Sequence, residues 1–163
     1  MLCEWYGLKQ IQSYTTRQPR YPGETGHIFL DKSKFKSFDE IKRKYPNRVA
    51  ETVFDGELYF ATSEQVDECD IYVIDPAGIT YLKDIYKGKK NIKVVRLKCS
   101  KQERVERMQK RGDADLSIYR RLANDKIMFE HVGEISDFSA VNIKRDVCAQ
   151  AIMTYISKEE AKS

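Results

Sequence analysis

One tryptophan, two histidines and four cysteines occur among 163 residues, and this scarcity sets the first limits. Cys3, Cys69, Cys99 and Cys148 are widely spaced, with no Cys-x-x-Cys pair and no histidine cluster, which argues against a metal site and against a disulfide framework. They are expected to be reduced, mostly buried thiols. No apolar run approaches the ~20 residues needed to span a bilayer, and no signal-peptide pattern opens the chain. No membrane partner is therefore expected, and the expected location is cytoplasmic. Neither sign of charge predominates: 29 Lys and Arg stand against 25 Asp and Glu, a net charge of +4. That balance suits contact with anions, yet it is too mild and too evenly mixed for a nucleic-acid groove. Internal repeats and low-complexity segments are also missing.

What is present fits one globular domain. Hydrophobic residues make up 41% of the chain and charged ones 33%, ordinary values for a chain long enough to bury one core. Short apolar, β-prone runs alternate with helical patterns, which predicts an α/β fold with a parallel sheet covered by helices. The strands are expected at Lys9–Gln12, Val49–Phe54, Ile71–Ile74, Lys93–Leu97 and Ala140–Asn142. Thr62 with Gln65 and Ser100 with Glu103 have capping-box spacing, and Asp115 or Ser117 is placed to cap a helix running to about His131. A last helix over Arg145–Ser157 is expected to bury Val147, Ala151, Ile152 and Tyr155 on one stripe. The domain is expected to cover residues 1–157, followed by a polar tail over 158–163.

The segment Ser13–Glu24, SYTTRQPRYPGE, carries the most chemistry. Arg17 and Arg20 lie three residues apart, and a guanidinium presents a planar, permanently charged fork that matches phosphate oxygens. Pro19, Pro22 and Gly23 fix an irregular turn that keeps both arginines in a loop. From these residues alone, two readings stand: a clamp on one phosphate group, or a solvated basic loop.

The wording of this loop resembles the nucleotide-monophosphate loop of guanylate kinases, Ser-x-Thr-Thr-Arg-x-Pro-Arg-x-Gly-Glu. The resemblance runs in order over roughly residues 8 to 157, through Glu51, Tyr59, Asp75 to Gly78, an arginine-rich stretch from Arg107 to Arg121, and Val141-Asn142. It implies a three-layer, P-loop-kinase-like parallel sheet, a nucleotide-monophosphate region over about 13–62 and a lid over about 107–121. It also implies a parent reaction that moves the ATP γ-phosphoryl group to GMP, giving ADP and GDP with Mg²⁺. By this resemblance Ser13 meets guanine, Arg17, Arg20 and Tyr59 hold the GMP phosphate, and Glu51 accepts from the guanine N1–H and amine. Thr62 would reach guanine and Asp75 would order Mg²⁺ or its waters. Arg107, Arg111 and Arg121, supported by Arg104 and Arg120, would be the lid cations that neutralise charge in phosphoryl transfer. Asn142 would flank the adenine of ATP. The ordinary reading of the lid is a salt-bridged helix pair, with Arg121 four residues before Asp125.

The chain departs from the family pattern in several places. His27 stands where a phosphate-binding tyrosine is expected, Phe60-Ala61-Thr62 replaces the usual small hydroxyl motif, and Val73-Ile74-Asp75 keeps one carboxylate of an Asp-x-Asp. No G-x-x-x-x-G-K-[ST] loop occurs, and that loop is what cradles the transferred phosphates. Leu2, Trp5 and Tyr6 read as the last turns of a first helix capped by Gly7. The expectation is therefore a guanylate-kinase-like chain without its first strand and P-loop, binding GMP but little ATP. The alternatives are a complete enzyme with further upstream residues, or an inactive guanylate-kinase-like protein-interaction module. A homo-oligomer or protein partner that supplies a strand is also consistent with that gap.

Overall fold

Residues 1–162 are described in a computed structural model. Six strands form: β1 (Ser13–Thr15), β2 (His27–Phe29), β3 (Arg48–Phe54), β4 (Glu57–Thr62), β5 (Val95–Lys98) and β6 (Phe138–Val141). The helices are α1 (Leu2–Tyr6), α2 (Phe38–Lys44), α3 (Ser63–Glu68), α4 (Pro76–Ile85), α5 (Lys101–Lys110), α6 (Asp115–Met128) and α7 (Arg145–Glu160). The α/β class expected from the sequence is what the chain adopts, but the larger sheet is mixed and not parallel as expected, because β4 pairs antiparallel with both β1 and β3. Two compact units divide it: Cys3–Ile92, and Lys93 onward together with Met1–Leu2.

The first unit is built on a mixed sheet in the order β2-β1-β4-β3. β3 and β4 are antiparallel and joined by Asp55-Gly56, both at positive φ (52° and 74°), the geometry of the two-residue turn that matches strand twist. β1 then pairs antiparallel with β4 and parallel with β2. Alternation along β4 divides the core between the two faces of the sheet. Leu58 and Phe60, fully buried, pack with Ile41 of α2, Tyr14 and Tyr45. Ala61, on the other side, joins Ile11, Val49, Ala50, Val66 of α3 and Leu82 of α4. Thr62 caps α3, its N–H donating to Gln65 Oε1 at 3.1 Å, and Asp75 caps α4 by accepting from the Gly78 N–H at 2.7 Å.

Several sequence expectations are corrected. Lys9–Gln12 and Ile71–Ile74 are reduced to one parallel bridge, Gln10 with Ile71, with the Ile11 N–H donating to Ile71 O at 2.8 Å. The pairing that begins there passes instead to β1, β2 and β4, three strands that the hydrophobic pattern did not reveal. β3 falls where the pattern placed it, to within one residue.

In the second unit β5 and β6 form a two-stranded parallel sheet, two residues later and two earlier, respectively, than the apolar runs suggested. Ala140, Cys148 and Ile152 form its core with Leu2, Val95, Phe138 and Ile156 around them. α7 continues past Ser157 to Glu160, so the start of the expected tail is helical, while Ser163 lies outside the described residues. Val147 is 55% exposed, and Cys148 and Ala149 take the buried stripe instead. Ala114, not Asp115 or Ser117, occupies the N-cap of α6, without a side-chain cap, and the helix stops at Met128 rather than His131. Ser100 does cap α5, accepting from the Glu103 N–H at 3.1 Å. Gly7, at φ 68°, closes α1 with its N–H on Cys3 O at 3.0 Å. Of the four cysteines only Cys148 is buried; Cys3 is exposed and the other two are intermediate.

Candidate nucleotide site

The site grows from the end of β1. Ser13 and Thr15 point to one face, and the register continues that face into His27 and Phe29 on β2 and Tyr59 on β4. The segment after Thr15 then leaves the sheet, and its turn is held by one carboxylate. Glu24 receives Arg17 in a two-point ion pair, Nη2 to Oε1 at 2.8 Å and Nη1 to Oε2 at 3.1 Å. The Arg20 N–H donates to the same carboxylate at 2.6 Å, and the Arg20 guanidinium lies 3.3 Å away. One anion thus organises both arginines, and its side chain is 6% exposed. The hydrogen bond from Arg17, then that from the Arg20 backbone, hold the Glu24 carboxyl down at about 2. Glu24 also raises Arg17 above its ordinary value.

Two features leave this cluster open to an anion. The two arginines outnumber the single carboxylate, so one positive charge is in excess. The Arg17 Nε–H is buried and has no partner among the described residues, and a buried charged donor is ordinarily satisfied. The guanidinium lies 5.3 Å over the Phe29 ring and interacts with Tyr59. His27 is set edge-on to both aromatics, with ring centroids 6.0 Å from Phe29 and 5.8 Å from Tyr59. Its Nδ1 is 3.0 Å from Ser13 Oγ, and Ser13 is 5% exposed.

Ser13, Arg17, Arg20 and Tyr59 are therefore brought together, and His27 joins them. Glu51 is not. It stands opposite Phe60, which pairs with Tyr14, on the face away from Ser13 and Tyr59. There it is paired with Lys42 and, at 2.8 Å, with Arg48 Nε. Burial pushes the Glu51 carboxyl up, but these two cations outweigh it and its value is lowered. Thr62 and Asp75 sit at helix caps, as described, and the Tyr72 phenol, pushed well up by burial and by Asp75, interacts with Ser13. Sequence reasoning did not assign Glu24 or Phe29 a role. The i,i+4 spacing of Arg20 to Glu24 was the available signal.

In the second unit the lid arginines are distributed differently from the expectation. Arg121 does not pair with Asp125, which pairs instead with Arg104 at 3.2 Å. Arg111, the C-cap of α5, is held by both oxygens of Asp113, and Arg121 approaches the same carboxylate at 4.0 Å. Arg107 donates to Asn142 O at 2.7 Å, fastening α5 to the end of β6. Among the described residues, no three His, Cys, Asp or Glu side chains come together as a metal site, and no helix is long and apolar enough to cross a membrane.

This architecture has a solved counterpart. The fold is similar to that of a guanylate kinase. The crystal structure of guanylate kinase from Anaplasma phagocytophilum matches 92% of this chain and 74% of its own length, with a TM-score of 0.62 and 16% identity. No family model and no curated protein matches the sequence.

Proposed function

We propose that the Cys3–Ile92 unit binds a purine nucleoside monophosphate, GMP in preference to AMP, on a chain built to the three-layer, guanylate-kinase-like plan. The observation that carries the reading is the Arg17–Glu24–Arg20 cluster beside Ser13 and Tyr59. It combines excess positive charge, an unsatisfied guanidinium donor and a buried hydroxyl on β1 and the loop that follows it. A phosphate monoester would supply the missing acceptor for Arg17 Nε, and Tyr59 and Arg20 would hold its remaining oxygens. Ser13 would face the base. Glu51 and Thr62 are assigned to the support of this unit, since each is engaged by ion pairs or a helix cap.

The parent reaction is phosphoryl transfer from ATP to the bound monophosphate. By the guanylate-kinase resemblance, Arg107, Arg111 and Arg121 would be the cations of that reaction and Asn142 would flank the adenine. Magnesium enters such a reaction largely through the nucleotide phosphates, and Asp75 is the carboxylate left to meet it. A loop of backbone donors with a lysine would be needed to cradle the ATP phosphates, and the 163 residues contain no G-x-x-x-x-G-K-[ST]. On this reading the chain by itself binds the acceptor and does not turn it over.

Calorimetry tests the binding half. GMP should bind more tightly than AMP, and Arg17→Ala should weaken GMP by about 1.5–3 kcal/mol, the usual worth of a hydrogen bond to a charged group. Equal affinity for GMP and AMP at every pH between about 5.5 and about 8, or GMP affinity unchanged in the variant, would refute it. GMP-dependent formation of ADP by the chain, abolished by Arg121→Ala, would refute the claim of no turnover.

A further inference from the structure

His27 and Ser13 occupy matched positions on parallel strands β2 and β1, with Nδ1 3.0 Å from Oγ. Hydroxyl and imidazole can share that bond in either direction. If Nδ1 is unprotonated, the single Ser13 hydrogen is committed to His27, and the hydroxyl offers a ligand only lone pairs. If Nδ1 carries a proton, Ser13 accepts from His27 and its own hydrogen is free to donate outward. The His27 ring is set edge-on to Phe29 and Tyr59.

We propose that His27 is a proton-linked positioning residue that sets whether Ser13 presents a donor or an acceptor to a purine base. This rests on the nucleotide reading above and adds to it a rule for the base. A protonated His27 turns the Ser13 hydroxyl into a donor, which suits a 6-oxo purine; a neutral His27 with Nδ1 accepting removes that advantage over a 6-amino purine. Because Glu51 lies on the opposite face of the sheet, base discrimination falls to Ser13 and the groups behind it.

The surroundings fix the direction of the pH dependence. Burial first, then the Arg17 charge, lower the His27 imidazole, with Arg20 acting the same way, while Ser13 and Glu24 oppose them. Tyr59 on β4 and Tyr72, which interacts with Ser13, are the further titratable groups beside the pair among the described residues. The free protein therefore holds His27 largely neutral at neutral pH. A phosphate dianion bound beside Arg17 offsets the two guanidinium charges and draws a proton onto His27. Acid should then favour GMP over AMP.

The test is the GMP to AMP affinity ratio of the full chain between about pH 5.5 and about pH 8, the window around an ordinary histidine. Both ligands carry the same phosphate, so its ionisation cancels in the ratio. The ratio should rise about tenfold toward acid, the effect of one mismatched hydrogen bond. Its midpoint should follow the His27 imidazole signal by NMR; the second histidine, His131, is an exposed residue paired with Glu134, and His27→Phe removes the signal that belongs to His27. In His27→Phe the ratio should be flat with pH. In His27→Asn, whose amide keeps a donor near the Nδ1 position, GMP preference should persist at high pH. A flat wild-type ratio while GMP binds and His27 titrates overturns this proposal alone. A pH-dependent ratio that survives in His27→Phe overturns it as well. Failure of GMP to bind at any pH overturns the nucleotide reading and this one with it.

Discussion

Arg17 and Glu24 meet as two parallel forks, at 2.8 and 3.1 Å, and the same carboxylate takes the Arg20 N–H at 2.6 Å. The pair therefore shapes the loop before any ligand arrives. Its pH dependence follows from the carboxyl being drawn from 4.5 down to about 2. A carboxyl lowered in the folded state adds stability that is complete above its unfolded value and is lost as pH falls through its folded value. Wild type should exceed Glu24→Gln in melting temperature by a constant margin above about pH 5, and that margin should shrink to nothing toward pH 2. Glu159, held down to about 2 by Lys162 and Lys93, remains in both proteins and cancels. A margin independent of pH would show that Glu24 acts through packing and not through charge.

The sequence was legible where the chemistry is local. Gly7, Ser100, Thr62 with Gln65 and β3 are where spacing and capping placed them, because each is decided within a turn or a single hydrophobic alternation. It was illegible where pairing is decided by distant partners. β1 and β2 are three residues each, too short for any periodicity, and they exist because Thr15 and Phe29 find each other and Tyr59 across the sheet. The site shows the same division. Arg17 and Arg20 were readable from one motif, but the face of Glu51 depends on its register with Phe60, and a single step in register sends a side chain to the other side. Charge partners on helices were likewise ambiguous. Asp125 had an arginine at i−4 and another across the helix pair, and tertiary packing chose the second.

That choice is measurable. Arg104 Nη1 lies 3.2 Å from Asp125 Oδ2 between α5 and α6, while Arg121 is directed to Asp113. A double-mutant cycle with Arg104→Ala and Asp125→Ala should give a coupling of about 0.2–1 kcal/mol, the range for partly exposed pairs. The matching cycle for Arg121 and Asp125 should give none. Equal couplings in the two cycles would restore the helix-surface reading of Arg121.

The hairpin that delivers Tyr59 and Phe60 depends on its turn. Asp55 and Gly56 both adopt positive φ, and no heavy atom stands within 4 Å of a Cβ built on Gly56. Space is therefore not the constraint; backbone conformation is. Gly56→Ala should destabilise the Cys3–Ile92 unit by roughly 1–2 kcal/mol, the cost of placing an L-residue in the left-handed region. Asp55→Asn and Asp55→Gly should be close to neutral, since both residues tolerate that conformation. Urea unfolding of the three variants decides the matter. The expected result is a lower midpoint for Gly56→Ala with an unchanged slope, because the unfolded surface is the same. A Gly56→Ala protein as stable as wild type would mean that the turn relaxes to another type, and the register carrying Tyr59 toward Arg17 would then have to be set by the β1–β4 pairing alone.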